Sequence, residues 1–127
     1  MNIVRQDCPC VLIVDDDESI RETFRFLIES AGYSVVTASN GLEALEHLYK
    51  NLDPCLIFLD LMMPVMDGWE VARELASDSK FSSIPTVIIT AIPGEFNCGD
   101  RSLEVLRKPI DGNYILKLVE RNCLKQA

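Results

Sequence analysis

The amino-acid sequence predicts an α/β protein, a doubly wound (βα)5 sandwich whose five-stranded parallel sheet carries helices on both faces. Three observations predict it. Short continuous apolar runs rich in β-branched residues recur along the chain, as strands covered on both faces require. Between them lie segments with apolar residues at steps of three and four, the pattern of amphipathic helices. The two patterns alternate in order, and right-handed crossovers turn such an alternation into a parallel sheet between two helical layers.

The elements follow in sequence. Val11-Leu12-Ile13-Val14 reads as the first strand and stops at Asp15-Asp16-Asp17. From Asp17, an N-cap, the residues Ile20, Phe24, Leu27, Ile28 and Ala31 form one apolar stripe, which Gly32 ends. Tyr33 to Ala38 is the second strand, and Asn40-Gly41 caps a helix carrying Leu42, Leu45, Leu48 and Tyr49. Leu56 to Leu59 is the third strand; Asp67-Gly68 opens a helix with Trp69, Ala72, Leu75 and Ala76 inward. Pro85 to Thr90 is the fourth strand, Leu103 to Leu106 a weaker fifth, and a last helix begins near Asp111 with Ile115, Leu118, Val119 and Cys123 on one side. A helix belongs between the fourth and fifth strands, yet residues 93–101 hold one Pro and two Gly. At about 1 kcal/mol per Gly and about 3 kcal/mol for an interior Pro, a short or irregular turn is expected there instead. The strand order expected of such a set is the flavodoxin-like one.

Length and composition bound the rest. With 127 residues, 48% of them apolar, the chain has the size of one domain with a proper core, and no effector domain is expected beside it. Residues 1–8 read as a lead-in. A net charge of -8, from 20 acidic and 12 basic residues, disfavours binding to nucleic acid or to an anionic membrane surface. No basic-then-apolar leader and no bilayer-length apolar run occurs, so a cytoplasmic location is expected. The five cysteines (Cys8, Cys10, Cys55, Cys98, Cys123) are scattered and odd in number, and reduced thiols packing as small hydrophobes are the expectation. Cys8-Pro9-Cys10 could form half a metal site, but no second pair completes a tetrahedral set.

The chemistry concentrates where the strands end. In a doubly wound sheet the C-terminal strand ends share one edge, which brings together Asp15 and Asp16, Asp60, Thr90 and Lys108 from four distant stretches. Clustered carboxylates repel one another unless a cation neutralises them, and oxygen-only ligands with room for water suit Mg2+. With a phosphoryl group added, each residue gains a role, Asp60 as nucleophile forming an acyl phosphate, Lys108 and Thr90 balancing and hydrogen-bonding the transferred oxygens. Any one of these residues alone has an ordinary reading. Thr90 would be a strand-end hydroxyl, Lys108 a solvated surface charge, and the aspartates a polar loop; only their joint register argues otherwise. His47, alone on the polar side of its helix, reads as surface decoration, and Phe24 and Trp69 read as core. Pro64 and Gly68 read as loop geometry beside Asp60, and Phe96 has two readings, a ring that covers the core edge, the favoured one, or a ring that meets a partner.

These motifs carry a family resemblance. Asp15-Asp16 after an apolar strand, Asp60 in Asp-Leu-Met-Met-Pro-Val-Met-Asp-Gly, Thr90-Ala91 and Lys108-Pro109 resemble a receiver domain of two-component response regulators, of the stand-alone type, over essentially the whole chain. The resemblance implies that a sensor histidine kinase or histidine phosphotransfer protein donates a phosphoryl group to Asp60. It implies that Mg2+ is held by Asp15, Asp16, Asp60 and the backbone carbonyl of Met62. It also implies output through a downstream protein target or a phosphorylation-dependent homodimer, with no enzymatic turnover beyond the domain's own phosphorylation and dephosphorylation. Two departures stand out. The stretch from Thr90 to Lys108 is shorter than the family's by roughly one helical turn, and Val105 and Ile110 occupy positions where the family carries aromatic residues. Relay by a rotating ring is therefore not expected in the usual form.

Two rival readings remain at this level. A receiver-fold scaffold that docks a partner regardless of phosphorylation would draw on Val105 and the degraded helix. A small Mg-dependent phosphohydrolase would use Asp15 as nucleophile and Asp17 as acid, after the Asp-x-Asp signature of haloacid-dehalogenase-like enzymes. The second leaves Asp60 to Gly68 unexplained.

Overall fold

A computed structural model of the chain describes residues 10–91 and 104–123. Nine elements follow one another: β1 (Cys10–Val14), α1 (Glu18–Ser30), β2 (Ser34–Ala38), α2 (Gly41–Tyr49), β3 (Leu56–Asp60), α3 (Gly68–Ser77), β4 (Thr86–Thr90), β5 (Glu104–Arg107) and α4 (Gly112–Asn122). All strand pairings are parallel, in the order β2-β1-β3-β4-β5. This is the expected doubly wound sheet of the flavodoxin-like kind.

The apolar strands are covered on both faces, and their side chains divide by the period of two. Leu12, Val14, Ile57, Leu59 and Ile88 pack with Ala44, Leu45 and Leu48 of α2 and Val71, Ala72 and Leu75 of α3. Val11, Ile13, Phe58, Val87 and Ile89 point the other way, against Phe24 and Ile28 of α1 and Ile115, Leu118 and Val119 of α4. Phe24 meets Phe58 edge to face with ring centroids 5.5 Å apart, the favoured aromatic geometry. Two cores of comparable size thus clamp the central strands β1 and β3, and their C-terminal ends become a rigid platform.

Each described helix begins on the residue whose chemistry calls for it. Asp17, Asn40, Asp67 and Asp111 are N-caps whose side chains accept from Ser19, Glu43, Glu70 and Asn113 N–H respectively. Several inward positions differ from the sequence expectation. Leu42 and Tyr49 are exposed and Ala44 is buried instead; Ala76 is exposed, and Val71 takes the inward place on α3. In both helices the apolar stripe is rotated toward a small or β-branched residue that allows close approach to the sheet. Trp69 is half-buried against the α2/α3 core.

His47 is also more than surface decoration. It is half-buried, with Nε2 3.2 Å from the carbonyl oxygen of Thr37 on edge strand β2. The thiol expectation needs a larger correction. Cys55 and Cys123 are joined in a disulfide, because the residue before β3 and the C-cap of α4 come within a Cα–Cα distance of 5.4 Å. The two are 68 residues apart, so only the tertiary fold reveals the pairing. The readings made for residues 93–101, for Phe96 and for Cys8 lie outside the described residues.

Candidate functional site: an acidic pocket at the sheet edge

Asp60 is the last residue of β3 and Thr90 the last of β4, whereas Asp15 and Lys108 directly follow β1 and β5. The four therefore share the C-terminal edge of the sheet, where chain reversal between β1 and β3 opens a crevice. Asp15, Asp60 and Thr90 are buried, with Asp15 and Thr90 having no exposed surface at all. Asp16 is exposed at the rim. One oxygen from each of Asp15, Asp16 and Asp60 lies within 4.8 Å of the others. Lys108 Nζ stands 3.2 Å from Asp15 Oδ2 and 3.6 Å from Asp60 Oδ1. Every residue singled out in the sequence for this edge is found at it.

The local chain explains how these side chains are held. Asp15 Oδ1 accepts a hydrogen bond from Asp17 N–H at 2.8 Å, while Arg21 Nη1 donates to the Asp15 carbonyl at 2.7 Å. Asp17 itself is committed to capping α1, its Oδ1 accepting from Ser19 N–H at 2.8 Å. That occupation counts against an acid role for Asp17 in a phosphohydrolase. Lys108 N–H donates to the Thr90 carbonyl at 2.8 Å, which carries the β4–β5 ladder one residue beyond the strand. The Lys108-Pro109 peptide is cis.

Below Asp60, the loop to α3 is tightly built. Met66 N–H bonds the Pro64 carbonyl at 2.7 Å across Val65, whose φ is 71°, a γ-turn of the rare positive-φ kind. Asp67 and Glu70 then form a reciprocal capping box. Gly68 donates to the Leu61 carbonyl at 3.0 Å, and a Cβ at Gly68 would run into the Asp60 carbonyl oxygen and the Leu61 backbone. From sequence, Gly68 reads as turn geometry only. Its contact with the Asp60 backbone, and that of Arg21 with Asp15, depend on tertiary approach and have no local signal beyond a glycine after Asp67 and an arginine six residues beyond Asp15.

The electrostatics follow from three carboxylates around one ammonium. Burial and then the charge of Asp15 push Asp60 up to about 6, although Lys108 and a hydrogen bond from Met62 N–H favour its ionised form. Burial likewise raises Asp15, against the Asp17 N–H bond and the Lys108 charge. Burial works against the Lys108 charge, but Asp15 and Asp60 outweigh it and hold the ammonium above its ordinary value. Among the described residues, buried Asp15 Oδ2 faces the Lys108 ammonium alone, which leaves part of its acceptor capacity unused. An excess of negative charge, hard oxygen donors only and a carboxylate oxygen with unused acceptor capacity together fit a small divalent cation such as Mg2+.

A parallel α/β sheet of order 2-1-3-4-5 with an acid-rich crevice at its switch point defines a class of small phosphate-handling or signalling domains. Comparison with known proteins makes the class specific. The model of the response regulator receiver domain matches residues 11–120. The chain belongs to this family and is a component of phosphorelay signal transduction. It is similar to an uncharacterized 14.6 kDa protein in the sodA1 3' region of Leptolyngbya boryana, with 35% identity over 121 residues, covering 90% of this chain and 89% of that one. It is 43% identical over 81 residues to response regulator MprA of Mycobacterium sp. strain KMS, covering 64% of this chain but 34% of the relative. Among solved structures, chemotaxis protein CheY4 of Vibrio cholerae superposes with a TM-score of 0.77 at 31% identity, covering 91% of this chain and 98% of that one. No helix among the described residues is long and apolar enough to cross a membrane.

Proposed function

We propose that this chain is a phosphorylation switch in which Asp60 accepts a phosphoryl group from the phosphohistidine of a sensor histidine kinase or histidine phosphotransfer protein. The observation that carries the proposal is the convergence on buried Asp60 of a paired lysine and two further carboxylates from other strand ends. With its carboxyl raised only to about 6, Asp60 is ionised at neutral pH and able to act as the nucleophile. An Asp60 oxygen would bond to phosphorus as the phosphorus–nitrogen bond to the donor imidazole breaks. Lys108 would follow the charge from the carboxylate to the phosphoryl oxygens, and the Thr90 hydroxyl would hydrogen-bond one of them.

Asp15, Asp16, Asp60 and the Met62 carbonyl would hold Mg2+, which supplies neutralisation of the phosphoryl charge. The proposed role is that of a switch assisting only its own phosphorylation and dephosphorylation. Output goes to a downstream protein target or a phosphorylation-dependent homodimer, in the cytoplasm and without nucleic acid or membrane binding by this domain. Residues 1–127 form one receiver unit in this reading. Val105 is a half-buried aliphatic residue against the α2/α3 core, so the output route does not use a rotating ring there.

The test is incubation with acetyl phosphate or phosphoramidate, with and without Mg2+, followed by intact-mass measurement. A single phosphoryl adduct that needs Mg2+ and disappears in Asp60→Asn is expected. No adduct, or an adduct retained by Asp60→Asn, would overturn the proposal, as would steady hydrolysis of phosphate monoesters lost in Asp15→Asn but kept in Asp60→Asn.

A further inference from the structure

At the edge of the sheet opposite the acidic pocket, Cys55 lies just before β3 and Cys123 caps the C-terminus of α4. Both belong to the α1/α4 side of the core: Cys123 is buried among Ile115, Leu118 and Val119, and Cys55 is half-buried beside them. We propose that the Cys55–Cys123 bond is a reversible redox latch that fastens the C-terminal end of α4 to the sheet when oxidised and releases it when reduced.

The neighbours of the two sulfurs suit both states. In the dithiol form Cys55 Sγ, 3.3 Å from the Cys10 carbonyl oxygen, has an acceptor for its proton. Cys123 in its apolar surroundings packs as a small hydrophobe. Reduction thus gives the Cys55 thiol an acceptor and leaves the weakly polar Cys123 thiol among apolar neighbours, so the packing suits both states. In the reducing compartment proposed above, a disulfide is transient or redox-sensing rather than a permanent staple.

Position gives the latch something to control. β3 begins beside Cys55 and ends on Asp60, and α4 starts shortly after Lys108 and ends at Asn122, capped by Cys123. The same two segments are held together at one end by the Asp60–Lys108 ion pair and at the other by the sulfurs. Among the described residues, the last turn of α4 carries bonds within the helix, from Cys123 N–H to the Val119 carbonyl and from Asn122 Nδ2 to the Leu118 carbonyl, together with its apolar packing. A helix end held in this way frays when its tether is cut.

The exchange is balanced with a low-molecular-weight disulfide as oxidant. The half-buried Cys55, as thiolate, attacks one sulfur of the oxidant and releases a small thiolate. The Cys123 thiolate then attacks the mixed disulfide, forming Cys55–Cys123 and releasing the second small thiol. Two protein thiols and one small disulfide become one protein disulfide and two small thiols, and a dithiol reductant reverses the sequence.

The test uses the full chain cycled between oxidised glutathione and a dithiol reductant, with peptide mapping and amide hydrogen exchange in each state. The expected result is a Cys55–Cys123 peptide that appears and disappears with the cycle. Exchange at Val119 to Cys123 is expected to quicken at least tenfold on reduction while β1, β3 and β4 stay protected, with a melting temperature roughly 10 °C lower in the reduced form. Cys10→Ser should behave as the parent, and Cys123→Ser should resemble the reduced form in both buffers. The proposal is overturned by a link mapping to other cysteines, by loss of protection throughout the sheet on reduction, or by unchanged exchange in α4.

Discussion

Asp60 carries the central tension of the molecule. A carboxylate 3% exposed, beside a second buried carboxylate, is held up to about 6 from an ordinary 3.8. Between those two values the folded protein keeps a proton that the unfolded chain has released, so folding stability falls as pH rises through that window. Above it the ionised group costs up to about 3 kcal/mol in the metal-free protein. Asp60→Asn should therefore raise the midpoint of urea denaturation at pH 7 in the presence of a chelator, and do little near pH 4. Mg2+ is expected to act in the same direction on the parent, raising its melting temperature at pH 7 and progressively less below pH 6, where protonation competes with the metal. Asp15→Asn should lose most of that response. A Mg2+ effect independent of pH and of Asp15 would contradict the assignment of the carboxylates.

At the scale of elements, the segment from Asp60 to α3 determines whether the pocket keeps its shape. Gly68→Ala would force a methyl group against the Asp60 carbonyl. We expect it to cost about 2 kcal/mol or more by chemical denaturation and to impair formation of the phosphoryl adduct as well. Asp67→Ala, which removes only a helix cap, should cost about 1 kcal/mol and leave adduct formation intact, so the pair separates stability from positioning. The contrast also marks what can be read in the residues themselves. Strands ending in Asp15, Asp60 and Thr90 are legible because buried parallel strands are apolar throughout and stop abruptly at a polar residue. The caps at Asp17, Asn40, Asp67 and Asp111 are legible because capping is local. The approach of Gly68 to Asp60, the reach of Arg21 to the Asp15 carbonyl and the contact of His47 with Thr37 are not, because each depends on how separate elements pack. The outward turn of Leu42 and Ala76 has the same origin: periodicity locates a stripe to within about one position, and the sheet chooses the residue.

For the whole molecule, membership of the receiver family and the doubly wound sheet together explain why distant residues meet. Strand order places β1 beside β3, and the two helical layers hold their ends rigid, so pocket residues need no contacts along the sequence to converge. The disulfide is the feature with no signal in the sequence, since an odd, scattered set of cysteines gives no pairing and its two members meet only once α4 has docked. The proposed switch stands on Asp60 as the residue that becomes phosphorylated. Its most direct test is borohydride trapping after incubation with acetyl phosphate and Mg2+, because hydride reduces an aspartyl phosphate to homoserine and peptide mass spectrometry locates the changed residue. Homoserine is expected at position 60 and nowhere else; homoserine at position 15 or 16, or at no position despite a phosphoryl adduct on the intact protein, would contradict the claim.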